Sequence, residues 1–318
     1  MSHIFFIDPL EKLNIKKDST LMMALSFQEK GIECYLLLEK DFYITNEPGT
    51  AFKVFKFTGK FKEDGCYLDH LKKGESLNYE ISNKDVIHMR IDPPYDTKYH
   101  RYLLMLDQVK QDTGCEVLNS PLEIMKYNEK MIAYKDLSHS HLSYIGSSEE
   151  GFLKFVNRLE NKKYEDIILK PLDLYSGIGV EKVSIKDSDL LKKFQEKVTE
   201  FHGAIVCQPF VKDVYNGEYR AIYFDGEEIG SIIKKPNKGE FLANIAQGAK
   251  FEKVILPENI KKICNKIADD LCKDGVRFLA FDILGEGVNE VNITCPGLLV
   301  EVSYAYGQNL CFAIADHF

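Results

Sequence analysis

Short apolar runs alternate with helical patterns through the first third of the chain, and this alternation restricts the fold more than any other feature of the sequence. Ile4–Ile7 reads as a buried strand. Asp18-Ser19-Thr20 supplies N-cap side chains for a helix running to Lys30 and closed by Gly31. Cys34–Leu38 and Val86–Met89 are further strands, the second leading into the rigid turn Asp92-Pro93-Pro94. A helix over Tyr99–Gln111 stops near Gly114, and Glu116-Val117-Leu118 resumes a strand. Strands and helices that alternate through short connections pack as a parallel, doubly wound α/β sheet. Ligands of such sheets sit beyond the C-terminal strand ends, where Asn14–Asp18 and Arg90–Asp96 fall.

After Asn119-Ser120-Pro121 the pattern changes. Helical stretches at Pro121–Ala133 and Glu149–Leu159, strands Asp166–Lys170 and Gly179–Ser184, and a helix over Asp187–Glu200 make a compact second module closed by Gly203. Strands dominate beyond it. Ile205–Pro209 comes first, then Tyr219–Phe224 and Glu228–Lys234 joined by Asp225-Gly226, a strong hairpin turn. Lys235–Lys250 reads as loop and Pro257–Lys273 as helix. A second hairpin pairs Arg277–Leu284 with Asn289–Thr294 about Gly285–Val288. The expected modules are therefore 1–120, 121–203 and 204–318.

The 318 residues carry 41 Lys+Arg against 49 Asp+Glu, a net charge of −8, and basic and acidic residues interleave throughout. That balance opposes non-specific association with nucleic acid or anionic membrane. No apolar run approaches the ~20 residues of a membrane-spanning helix, and the first residues lack a basic region and a small-residue cleavage site. The eight cysteines contain no C-x-x-C pair, as expected of reduced thiols in a cytoplasmic protein. The expectation is a cytoplasmic enzyme with neither nucleic-acid nor membrane partner.

Chemistry concentrates in the last hairpin. Side chains alternate along a strand, so Glu290 and Asn292 share a face, and folding about the turn brings Asp282 beside them. Two carboxylates and an amide oxygen suit a hard cation such as Mg²⁺; a solvent-facing hairpin with outward polar residues is the other reading. Lys170 closes the apolar run Ile167-Ile168-Leu169, where it either snorkels or converges with Lys130 on phosphate oxygens. Ser176-Gly177-Ile178-Gly179 could cover those oxygens with backbone N–H groups or form an ordinary turn, and it is not a P-loop, since no G-K-[ST] follows. Arg90 and Arg220, near strand ends, either clamp a carboxylate or pair with neighbouring acids. His139-Ser140-His141 reads as exposed loop histidines, not a zinc site.

Taken together, Asp8-Pro9 with Asn14–Ser19, Met89-Arg90-Ile91-Asp92-Pro93-Pro94-Tyr95-Asp96-Thr97, Asn128-Glu129-Lys130, Ile168-Leu169-Lys170-Pro171-Leu172-Asp173, and Phe281-Asp282-Ile283 leading to Glu290-Val291-Asn292-Ile293-Thr294 resemble the bacterial type of glutathione synthetase, an ATP-grasp ligase, over essentially the whole chain. The resemblance implies an ATP-grasp fold with an N-terminal Rossmann-like domain, a small lid and a C-terminal α+β domain, with ATP between the last two. It implies that a substrate carboxylate takes the γ-phosphoryl group of ATP and that an amine then attacks the acyl phosphate. In the family the acid is γ-glutamylcysteine and the amine glycine, both small molecules, and a homo-oligomer is expected. By matched position, Lys130 and Lys170 would hold ATP, with Gln208, Pro209, Phe210 and Val211 as the adenine hinge. Asp282, Glu290 and Asn292 would hold Mg²⁺, or Mn²⁺ in its place. Arg220 and Asn244 would face the phosphates and acyl phosphate as catalytic residues, and Arg90 would bind the acid.

Three segments depart from the family pattern. Leu174 and Tyr175 stand in a lid loop that is usually glycine-rich. Leu242-Ala243-Asn244 lacks the arginine usual two residues before the asparagine. Cys295-Pro296-Gly297 replaces Ser-Pro-Thr. Two further readings therefore stay open: a ligase of this family joining a different acid or amine, and a nucleotide-binding protein that no longer ligates.

Overall fold

The computed structural model describes residues 1–133, 139–245 and 248–318. Three sheets organise them. The first has six strands in the order β4-β3-β2-β1-β5-β6, formed by β1 (Ser2–Ile7), β2 (Glu33–Leu38), β3 (Ala51–Phe61), β4 (Leu68–Glu80), β5 (Val86–Arg90) and β6 (Glu116–Leu118). β2, β1, β5 and β6 are parallel. β1 is buried along its whole length, as a central parallel strand must be. Ile4 and Phe6 join one core and Phe5 and Ile7 the other. Helix α1 (Ser19–Glu29) packs into the second core and α2 (Thr97–Thr113) into the first, which is the doubly wound arrangement. Asp18 caps α1 by accepting from the Leu21 amide at 2.8 Å. Asp96 caps α2 in the same way at Tyr99, and Gly114 ends that helix in the left-handed conformation.

The long antiparallel hairpin β3–β4 extends this sheet at one edge. Its sequence carries a readable alternation in β3 (Phe52, Val54, Phe57 buried) but almost none in the largely exposed β4.

Two short helices, α3 (Pro121–Lys126) and α4 (Glu129–Ile132), lead to the second sheet. Its order is β7-β10-β8-β9, from β7 (Tyr144–Gly146), β8 (Asp166–Pro171), β9 (Glu181–Ser184) and β10 (Ile205–Pro209). Helices α5 (Glu149–Asn161) and α6 (Leu190–Glu200) cover one face, and this unit has its own core, in which Phe152 and Phe194 stack at 4.1 Å. The expected boundary at 203–204 is corrected by this topology. β10 hydrogen-bonds to β7 on one side and β8 on the other, so a break before Ile205 would cut through a sheet.

The third sheet is antiparallel throughout: β13-β12-β11-β14-β15, from β11 (Glu218–Phe224), β12 (Glu227–Lys235), β13 (Lys250–Lys253), β14 (Phe278–Leu284) and β15 (Gly287–Asn292). Asp225 and Gly226 both take positive φ, as a two-residue hairpin turn requires. Helix α7 (Glu258–Lys273) packs on one face, with α8 (Leu299–Tyr306) and α9 (Cys311–Ala315) on the other. The stretch read as loop from 235 to 250 contains 246–247, which lie outside the described residues. Asn119 fastens the first sheet to the third: its side chain donates to the Phe278 and Ile293 carbonyls and accepts from the Phe278 amide.

Gly217 sets the entry of β11. Its φ is +127°, and a Cβ there would lie 2.5 Å from Ile233 Cγ1. Gly217→Ala is expected to cost about 2–4 kcal/mol, combining backbone strain with overpacking. Urea unfolding reads this, and a loss below about 0.5 kcal/mol, the range of an indifferent surface change, would refute it.

Candidate active site

One face of the third sheet carries charge among apolar strands. Register sets Arg220 of β11 opposite Asp282 of β14, Asp282 opposite Glu290 of β15, and Glu218 opposite Lys234 of β12. The carboxylate of Asp282 accepts from Arg220 Nη1 at 2.6 Å, Lys234 Nζ at 2.8 Å and Asn292 Nδ2 at 2.9 Å. Burial alone would raise its pKa, but the two cations hold the carboxyl well below the usual carboxylate range. Lys234 also pairs with Glu218 at 2.9 Å. Burial works against its charge, yet Asp282 and Glu218 raise its pKa, so it stays protonated. Arg220 Nη2 donates to the Gly297 carbonyl at 3.2 Å, while its buried Nε has no partner among the described residues.

Two lysines reach this face, one from α4 and one from the second sheet. Lys130, at the start of α4, places Nζ 3.0 Å from Glu290 and donates to the Leu172 and Leu174 carbonyls at 3.2 and 2.7 Å. Lys170, near the end of β8, donates to Asn289 Oδ1 at 3.1 Å. Burial, reinforced by the like charge of Lys130, pushes the Lys170 ammonium down to about 8 although Glu290 opposes it. A cleft of about 420 Å³ opens between the sheets, lined by all these charged groups. Four cations (Lys130, Lys170, Arg220, Lys234) and four carboxylates (Asp92, Glu218, Asp282, Glu290) line it, a mixture that suits a polyanion accompanied by a cation.

The structure gathers most of the residues anticipated from sequence. Gln208, Pro209, Phe210 and Val211 line the cleft where β10 ends. Gln208 Nε2 donates to Ser143 Oγ at 2.8 Å, and the Phe210 ring lies under Lys182 Nζ at 3.9 Å. Asn244 lines it as well, donating to the Ser176 carbonyl at 2.9 Å. Loop 174–177 thus meets loop 242–244, and a Cβ on Gly177 would lie 3.2 Å from Leu242 Cδ1. Cys295 borders the cleft as a thiol, its pKa pushed far up by burial, with Sγ 3.3 Å from Asp92.

Arg90 lies behind the cleft wall: its guanidinium donates to Thr20 Oγ1 and to the Pro296 carbonyl, both at 2.9 Å, and its Cζ lies 5.2 Å from the Phe278 ring centroid. It braces the 295–298 loop from behind. One expectation is corrected: the histidines of 139–141 are half-buried, not exposed. Ser140 forms a parallel bridge to Val288, the Val288 amide donates to the His139 carbonyl, and His141 lines the cleft against Gly287.

Lys234 and Glu218 are site residues that sequence reasoning misses. Counting by two from the Asp225-Gly226 turn sets Ile233 across from Glu218; the register shift at Ile222/Tyr223 moves Lys234 there instead, onto the face that holds Arg220. Glu129 is another such residue. Its Oε1 accepts from the Ile293 and Thr294 amides and from Thr294 Oγ1 at 2.7–2.9 Å, fixing the strand end beyond Asn292.

The donor set suits a hard cation. Asn292 uses Nδ2 on Asp282 and the Ala280 carbonyl, and among the described residues its Oδ1 has no partner. No three His, Cys, Asp or Glu side chains among the described residues converge to hold a metal by themselves. Asp282, Glu290 and Asn292 would hold an ion that completes its shell with water and phosphate oxygens.

A family model described as the prokaryotic glutathione synthetase ATP-grasp domain matches residues 130–307, and the model of the N-terminal domain of the same proteins matches 1–124. The glutathione synthetase of Vibrio cholerae is 30% identical over 311 residues, 98% of this chain and 94% of that one. That of Yersinia pestis is 29% identical over 306 residues, covering 95% and 92%. Among solved structures, D-cycloserine synthetase DcsG superposes with a TM-score of 0.68 at 12% identity over 99% of both chains. The ATP-grasp ligase PsnB complexed with its minimal precursor gives 0.61 at 15%, covering 99% and 98%. These two likenesses establish the ATP-grasp fold. No helix among the described residues is long and apolar enough to cross a membrane.

Proposed function

The chain belongs to the prokaryotic glutathione synthetase family, and from that premise we propose that it joins γ-glutamylcysteine to glycine at the expense of ATP, with Mg²⁺ as the divalent cation. The observation that carries this reading is the cleft in which Lys130 and Lys170 face Asp282, Glu290 and Asn292. Transfer of a phosphoryl group needs positioning and neutralisation of charge more than a protein nucleophile. In this reading the hinge Gln208–Val211 holds the base, the two lysines hold the phosphates, and Arg220 and Lys234 carry positive charge to the point of transfer. The cation, held by Asp282, Glu290 and Asn292, supplies neutralisation of phosphate charge. Loops 174–177 and 242–244, already in contact through Asn244 and Ser176, exclude water from an acyl phosphate that water would hydrolyse. Arg90 acts on the acid through the 295–298 loop it braces. We carry the homo-oligomer expected of the family as part of the same proposal, to be read by light scattering.

The test is phosphate release from ATP with Mg²⁺ and γ-glutamylcysteine, with and without glycine, with mass detection of the product. Glycine-dependent release with formation of glutathione is the expected result. A second reading, a ligase for another acid or amine, is favoured by the apolar contact of Leu242 with Gly177 and by Leu174 and Tyr175 in the cleft wall. Turnover with another acid–amine pair in the absence of any with γ-glutamylcysteine and glycine would establish it. Nucleotide binding without turnover on a broad panel would leave a protein that binds ATP and no longer ligates.

A further inference from the structure

The segment before β7 ties the hinge end of the cleft to the strand that carries Glu290 and Asn292. Gln208 Nε2 donates to Ser143 Oγ at 2.8 Å, and Ser143 Oγ donates in turn to the His141 carbonyl at 2.9 Å. On the other side, the Val288 amide donates to the His139 carbonyl at 3.0 Å, and Ser140 bridges Val288 in parallel register. Between these two attachments the His141 imidazole lines the cleft and lies against Gly287, the first residue of β15.

The ring is fitted to that place by shape. A Cβ on Gly287 would stand 2.8 Å from both Cε1 and Nε2 of His141, so the imidazole fills the room that a side chain would take. Gly287 is not among the glycines with positive φ, so space and not backbone conformation is what calls for glycine there. His141 Nε2 is buried and makes no hydrogen bond among the described residues. The fit in the notch, and no polar bond of the ring nitrogen, seats the side chain.

We propose that His141 is a positioning residue for the nucleotide: seated at Gly287, it fixes the spacing between the base hinge and the metal-binding strand. The second sheet has its own core, so few contacts hold it at one distance from β15. With the ring unseated, a ligand that spans both ends of the cleft must restore that distance as it binds, which costs affinity. A ligand held at the hinge alone is spared this cost. The inference rests on the nucleotide reading of the cleft and assigns a role to a residue that reading does not use.

The experiment uses the full chain and calorimetry with two ligands, ADP at saturating Mg²⁺ and adenosine, which lacks the phosphates. His141→Ala empties the notch, and Gly287→Ala fills it and pushes the ring out. Each is expected to weaken ADP about tenfold, within the range found for residues in contact, and adenosine less than about twofold. The double variant should bind ADP about tenfold more weakly than the parent, not about a hundredfold, because both changes break one contact. Two variants on opposite sides of the contact keep the test decisive should one fail to fold.

ADP affinity within about twofold of the parent in the single variants would overturn the inference. So would adenosine weakened as much as ADP, which marks damage at the hinge itself, and so would additive losses in the double variant. ADP titrated on the parent separates the two readings. If the parent binds no ADP, the nucleotide reading falls and takes the role of His141 with it; if the parent binds ADP and the variants match it, only His141 falls.

Discussion

An Asp282→Asn enzyme is expected to lose ATP-driven turnover by about 10²–10³-fold and to unfold about 3–5 kcal/mol more easily. The carboxylate is buried between Arg220, Lys234 and Asn292, and the amide that replaces it can neutralise neither cation. Two positive groups would then share Glu218 and Glu290 alone. The pH dependence has a definite sign. A carboxyl whose folded pKa lies below its ordinary value of 3.8 adds stability at every pH above that value, and loses it only as the pH falls through the folded pKa. The gap between parent and variant should therefore stay constant from about pH 5 to about pH 8 and close only in strong acid. Urea unfolding at several pH values and phosphate release check both halves. Turnover within twofold of the parent would remove Asp282 from the chemistry.

Lys170→Met is expected to weaken nucleotide binding about 10- to 100-fold, the worth of one charge-assisted hydrogen bond at about 1.5–3 kcal/mol. Its pH dependence is the more specific signature. Burial and then Lys130 bring the Lys170 ammonium down to about 8, so the free protein begins to lose that proton on the alkaline side of neutrality. A polyanion stabilises the charged form and raises the pKa, so binding takes up a proton wherever free Lys170 is neutral. Affinity should hold steady up to about pH 8 and then fall as pH rises, with a slope approaching one proton. The methionine variant should be flat over the same interval. Fluorescence titration with a nucleotide analogue from pH 7 to 9.5, a window set by that pKa, reads both curves. A parent as flat as the variant would show that Lys170 does not face the phosphates.

Local rules made much of this legible. The cap at Asp18, the stop at Gly114 and the Asp225-Gly226 turn each have a short-range cause, and each stands where the sequence places it. In the last hairpin alternation by two sets Glu290 and Asn292 on one face, while a register shift at Asp282/Ile283 brings Asp282 opposite Glu290. The failures share a different cause. β10 looks like the first strand of the third module because it follows a glycine and precedes other strands, yet its partners are β7 and β8, which only long-range pairing decides. β4 is polar on both faces at the sheet edge, so it leaves no pattern to read. The partners of Arg90 are equally long-range: its guanidinium meets Thr20 and Pro296, the latter 206 positions away.

The three cores divide the molecule unevenly. Two of them mix side chains from the first and third sheets, so those sheets form one block. The third draws only on residues between 144 and 207. Tilting the second sheet against the block thus breaks no core. It strains polar contacts such as the reach of Lys170 to Asn289, the meeting of Asn244 with Ser176 and the hold of Lys130 on the Leu172 and Leu174 carbonyls. Because Lys170 and the hinge ride on the light part while Arg220, Asp282 and Glu290 are anchored in the heavy one, the cleft works as a caliper. The jaw opening sets the spacing between the ammonium and the carboxylates, and adjusting it costs little of the free energy that keeps the chain folded.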